Sequence, residues 1–124
     1  MVPVNEDEVL AFVHTDIGSV WAVELLIFLK GRSERAWEIE DLVLALRSSS
    51  MAVAQAIARL QAAGFVSEKS PGTYCFEPRS PRHLEMATAI EKLSAQKPMT
   101  LAKAIAEIPN EKLRNFSDAF KFRE

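Results

Sequence analysis

Apolar residues recur at three- and four-residue spacings along most of the chain, which predicts a mainly helical protein interrupted by one pair of short strands. Asn5, with Glu8 three positions on and Val9, Leu10 and Val13 behind it, predicts a short first helix with an acidic partner placed to cap back. Asp16-Ile17-Gly18-Ser19 breaks it, and Ser19 is the expected cap of a second helix. There Trp21, Leu25 and Phe28 share one side while Val23, Leu26, Ile27 and Leu29 fill the others, so this helix belongs in the interior.

The stretch Trp37 to Glu77 carries the densest punctuation. A helix is expected from about Glu38 to Leu46, where Ile39, Leu42, Val43 and Leu46 form one apolar face. Glu38, Glu40 and Asp41 occupy its first turn, where the helix dipole favours negative charge. A serine of Ser48-Ser49-Ser50 caps the next helix, over residues 49–63, and Val53, Ile57 and Leu60 lie along its inner side. Gly64 stops it, with Phe65 placed to contact Leu60. Two β-prone runs follow, Phe65 to Lys69 and Thr73 to Glu77, and Pro71-Gly72 suits the centre of a type II turn between them. Helix, turn, helix, glycine stop and hairpin come in that order.

That order, carried by Leu42, the serine turn, Ile57, Leu60 to Val66, and Tyr74 with Phe76, resembles winged helix-turn-helix transcription regulators of the MarR and ArsR kinds. The resemblance covers about one third of the chain, with the motif at 37–77. It implies a single domain over residues 1–124, mainly α with a small β-hairpin wing and with extra N- and C-terminal helices. The wing tip is only Ser70-Pro71-Gly72, where MarR-like wings carry an Asp-x-Arg motif.

After the hairpin, Ser80-Pro81 starts a helix in which Leu84, Ala87, Ile90 and Leu93 share a face until Lys97-Pro98. A further helix is expected from about Thr100 to Ile108, with Leu101, Ala104, Ile105 and Ile108 on one side. Pro109-Asn110 separates it from a last helix repeating Leu113, Phe116 and Phe120. With Phe122, these aromatics are more apolar surface than a terminal helix leaves wet. Two readings stay open for the helices over 81–122: they fold back on their own domain, or they pair with a second copy to make a homodimer.

Composition narrows the class. At 124 residues, 48% hydrophobic and 26% charged, the chain can bury a core without disulfide or metal. The lone Cys75 forms no internal disulfide, and on a strand it reads as packing more readily than as a redox sensor. Val20 to Leu29, the longest apolar run, is interrupted by Glu24 and falls far short of the roughly 20 residues of a membrane span. Without a basic, apolar leader at the start, a cytoplasmic protein with no membrane partner is expected.

Net charge is −2, unlike the basic balance of most nucleic-acid binders, but its distribution is uneven. Residues 1–46 hold three basic and nine acidic groups. Residues 47–83 hold Arg47, Arg59, Lys69, Arg79 and Arg82 against Glu68 and Glu77 alone. The basic excess thus coincides with the second helix of the motif and its wing.

If the resemblance holds, that helix leads with its N-terminal end into a major groove of double-stranded DNA. Met51, Gln55, Ala58 and Ala62 lie opposite its apolar side, with Ala52 and Arg59 on the flank. Gln55 suits adenine and Arg59 guanine or a phosphate. Ser48, Ser49 and Ser50 can donate to phosphates at the helix start, and Arg47, Lys69, Arg79 and Arg82 can hold the backbone. The expectation is a non-catalytic transcription regulator. Its competitor is a winged-helix module that binds protein, since the outward face is rich in alanine and methionine.

An enzyme finds little support. His14 and His83 stand in different elements with no metal-ligand spacing beside either, and the glycines at 18, 31, 64 and 72 form no phosphate loop. No cofactor is expected, and no residue pattern identifies a small-molecule effector.

Overall fold

The computed structural model of the chain describes residues 4–106. Among them are six α-helices and a three-stranded antiparallel sheet. The helices are α1 (Glu6–Phe12), α2 (Val20–Lys30), α3 (Ile39–Leu46), α4 (Ser50–Ala63), α5 (Pro81–Gln96) and α6 (Pro98–Ala106). The strands are β1 (Trp37–Glu38), β2 (Val66–Ser70) and β3 (Thr73–Phe76), in the order β1-β3-β2.

Local chemistry explains where α1, α4 and α5 start. The backbone N–H of Glu8 donates to Asn5 Oδ1 at 2.8 Å, that of Ala52 to Ser49 Oγ at 3.0 Å, and that of His83 to Ser80 Oγ at 3.3 Å. Each hydroxyl or amide satisfies an N–H that the first helical turn leaves unpaired. Ser49→Ala is therefore expected to lower stability by roughly 1 kcal/mol, read as a shift in the urea midpoint at unchanged slope. A shift of zero would mean water satisfies that N–H equally well.

Between α1 and α2 the chain makes one π-helical turn, Val13–Ile17, and bends by 107°. The bend lets α1 and α2 wrap one core. α2 packs against α4 and α5, α3 against α4, and α6 against α1, α5 and the π turn. Val13, Ile17, Leu25, Leu26, Leu29, Leu42, Leu60, Phe65 and Ile90 are among its fully buried members. The apolar sides of α3 and α4, with Leu42, Val53, Ile57 and Leu60, form one wall of this common interior, and Leu46 is only half-buried.

Several boundaries differ from expectation for identifiable reasons. Glu38 stands at the start of α3 as its N-cap and also pairs with Thr73, as Trp37 does with Tyr74, in a third strand that was not expected. Two residues are too few for alternation to reveal a strand. Glu8 does not cap back, because its carboxylate reaches Arg82 on α5 at 2.6 Å. α5 buries Met86, Ala87, Ile90 and Leu93, while Leu84 is 45% exposed. α6 starts at Pro98, two residues before the expected Thr100, with proline in a first-turn position it tolerates. Trp21 is 42% exposed and Val20 48%, although Ala22, Val23, Leu25, Leu26 and Leu29 of the same helix are buried. Ile108, the last helix with Leu113, Phe116 and Phe120, and the dimer surface expected of Phe116, Phe120 and Phe122 lie outside the described residues.

No single helix among the described residues is long and apolar enough to cross a membrane. α1 with the π turn and α2 pass that test only as a pair bent by 107°, and their apolar side chains supply much of the core.

Candidate functional site

The arrangement around α4 follows from its neighbours. Val53, Ala56, Ile57 and Leu60 are buried, which fixes one face of the helix against α2 and α3. The other face, Met51, Ala54, Gln55, Ala58 and Ala62, faces solvent, with Met51 71% exposed. The expected outward set is therefore exposed, and Ala54 joins it. Ala52 lies on the half-buried flank.

The leading end of α4 is built by the turn Arg47-Ser48-Ser49. Arg47 has φ 52° and ψ 47°, the left-handed conformation that ends α3, and is the one non-glycine residue with positive φ among those described. That conformation costs an L-residue roughly 1–2 kcal/mol. Arg47 is exposed, as are Ser49 and Ser50; Ser48 is half-buried beside Trp21, Leu25 and Ala52. Of the three serines, Ser49 is already committed as the cap.

At its other end α4 closes through paired bonds. The N–H of Phe65 donates to Leu60 O at 3.0 Å and that of Gly64 to Gln61 O at 3.1 Å. The hairpin leaves from this stop. β2 pairs with β3 from Val66↔Phe76 to Ser70↔Thr73, with an irregularity at Lys69, and Gly72 at the tip has φ 82°, as a type II turn requires. Cys75 is a free thiol, buried on the central strand, as its packing role predicts.

The cations of the motif are arranged less simply. Arg59 Nη1 donates to Ile17 O at 3.3 Å, so this side chain ties α4 to the end of the π turn. Arg79 Nη2 donates to Gln61 O at 3.2 Å, placing a positive charge at the C-terminal end of α4 where the dipole favours it. Lys69 forms an ion pair with Glu77 across the hairpin. Arg82 bridges Glu8 at 2.6 Å and Glu85 at 3.3 Å.

These pairs alter the titration of their members. The hydrogen bond from Lys69, then that from Ser67, holds the Glu77 carboxyl below its ordinary range. The same bond with Glu77 raises Lys69, and the bond with Glu8 raises Arg82. Lys69, Glu77 and Arg82 nevertheless stay roughly half-exposed, so water and other anions reach them.

Four of the five motif cations thus have an acceptor within the chain, and Arg47 projects from the turn. The geometry brings Arg47, Ser49, Ser50, Met51 and Gln55 together at the leading end of α4. Arg59, Lys69, Arg79 and Arg82 are distributed over its far half, the hairpin and the start of α5.

Trp21, exposed beside Ser48 and Ala52, is the neighbour that sequence reasoning sent to the interior. A helix apolar all round gives no periodicity from which its open side can be read. His83 rests on the Phe65 ring edge, centroids 5.8 Å apart, with Nδ1 2.7 Å from Ser80 Oγ. His14 Nδ1 lies 2.7 Å from Ala104 O and fastens α6 to the π turn. Both histidines therefore have structural partners. Among the described residues no group of three or more His, Cys, Asp and Glu is placed to hold a metal ion. No family model, no curated protein and no solved structure matches the chain.

Proposed function

We propose that the chain is a winged helix-turn-helix regulator that binds duplex DNA without catalysing a reaction, with α4 entering the major groove and β2–β3 as the wing. The observation that carries this reading is the leading end of α4. A capped helix start, an exposed face behind it, and an arginine held in a backbone conformation that suits glycine better converge on one side of the molecule. Strained backbone of that kind clusters at functional sites. In this reading Arg47 and Ser50 engage phosphates, Gln55 tests a base edge, and Met51 and Ala54 meet thymine methyl groups. Arg59 acts by positioning α4, since its guanidinium is tied to Ile17. Two copies would read half-sites about one helical turn apart. A free, buried cysteine suits the reducing cytoplasmic setting that this reading expects.

A titration with duplex DNA between about 50 and 200 mM salt tests the proposal, because each phosphate contact steepens the fall of log K with log salt by about 0.9. Arg47→Gly is expected to weaken binding and flatten that slope by about one contact, while stability stays level or rises because the strained backbone is relieved. Equal affinity and slope in the variant would remove Arg47 from the interface.

A second reading has its own observation. The exposed face of α4 offers Met51, Ala54, Ala58 and Ala62 with few hydrogen-bonding groups, and most nearby cations are engaged. Such a face suits another protein's helix. Absence of DNA binding at the lowest salt would favour it.

A further inference from the structure

Resting on the DNA-binding reading, we infer that Glu77 and Glu8 set the affinity of the interface by occupying, as internal stand-ins for phosphate, the cations that a duplex must capture. Glu77 is held at both oxygens. Ser67 Oγ donates to Oε1 at 2.7 Å and Lys69 Nζ reaches Oε2. Two donors converging on two oxygens of one anion is also how a phosphodiester is held. On α5, Arg82 meets Glu8 through Nη2 and Glu85 through Nη1, so its fork is filled by carboxylates from two helices.

All of these groups are part-exposed, and exposed pairs exchange partners readily. Contact with DNA is then an exchange: the cation moves from carboxylate to phosphate, and the released carboxylate is left facing a line of negative charge. Both effects hold affinity down. They also explain how a chain of net charge −2 can carry a DNA interface: its wing and α5 cations are neutralised until a polyanion competes for them.

The test compares the full chain with Glu77→Gln, Glu8→Gln and Glu91→Gln in duplex titrations at several salt concentrations. Glu91 pairs with Lys30 at 2.8 Å, an ion pair of the same kind placed away from the wing, and controls for the added net charge. Glu77→Gln and Glu8→Gln are expected to bind roughly three- to tenfold more tightly with a steeper salt slope, and Glu91→Gln to stay near the parent. The gain of Glu77→Gln should vanish when Lys69→Met is added.

Binding by the variants where the parent is silent also supports the inference. A parent that binds while Glu77→Gln and Glu8→Gln match it, or an equal gain from Glu91→Gln, overturns it and leaves the DNA reading standing. If neither parent nor variants bind at low salt, the DNA reading itself falls and takes the inference with it.

Discussion

Phe65→Ala is expected to remove about 3–5 kcal/mol of stability, a large share of the roughly 5–15 kcal/mol that holds a domain together. Phe65 is fully buried at the point where α4, the hairpin, α1 and α5 meet. Its ring stands edge-on to Phe12, centroids 5.7 Å apart, and to His83. Its backbone is equally committed, giving its N–H to Leu60 O and accepting from the N–H of Glu77 at 2.8 Å. Alanine would leave a cavity between elements already locked by those bonds, so little collapse can fill it. Urea denaturation checks this, with Phe65→Leu as a milder companion expected to cost under about 1.5 kcal/mol if the pocket tolerates aliphatic filling. A loss below about 1 kcal/mol for the alanine variant would show that the junction relaxes around the gap.

Gly64→Ala is the second large effect, expected at roughly 2–3 kcal/mol from backbone and contact strain together. Gly64 has φ 92°, a conformation that L side chains rarely adopt. A Cβ there would come within 2.6 Å of His83 Nε2 and 2.7 Å of its Cδ2. The imidazole cannot simply swing away, because Ser80 holds Nδ1 and the Phe65 ring lies beside it. The two sources of strain separate in a double-mutant cycle with His83→Ala. The clash should be relieved and the backbone part should remain, giving a coupling of at least about 0.5 kcal/mol. Strict additivity would mean that the His83 contact is soft and that φ alone explains the loss. Because the stop sets where the hairpin leaves α4, the variant should also disturb the wing before the helix.

The ends of helices were legible in the sequence to the extent that one residue decides them. Asn5, Ser19, Ser49 and Ser80 each cap the helix that follows, and Gly64 stops α4, because these events involve only neighbours along the chain. The inner face of α4 was legible for a related reason: the 3.6-residue period of a regular helix translates spacing directly into side. Trp37 and Glu38 show where that reasoning stops. Their strand exists only because Tyr74 and Thr73 arrive from more than thirty positions away. Glu8 shows the same limit for polar groups, since a local capping pattern lost its carboxylate to Arg82, a competitor invisible at short range.

The candidate site divides along the same line. That the face of Met51, Gln55, Ala58 and Ala62 would be open follows from periodicity, and that residues 47–83 carry a basic excess follows from counting charges. What each cation is bound to follows from neither. Arg59 turned to Ile17, Arg79 to Gln61, Lys69 to Glu77 and Arg82 to Glu8 and Glu85, while Arg47 was left projecting from a strained turn. A charge is a property of the residue and can be read from the chain. The partner of a charge is a distance of about 3 Å between groups that only the packing of α1, α4, α5 and the hairpin brings together.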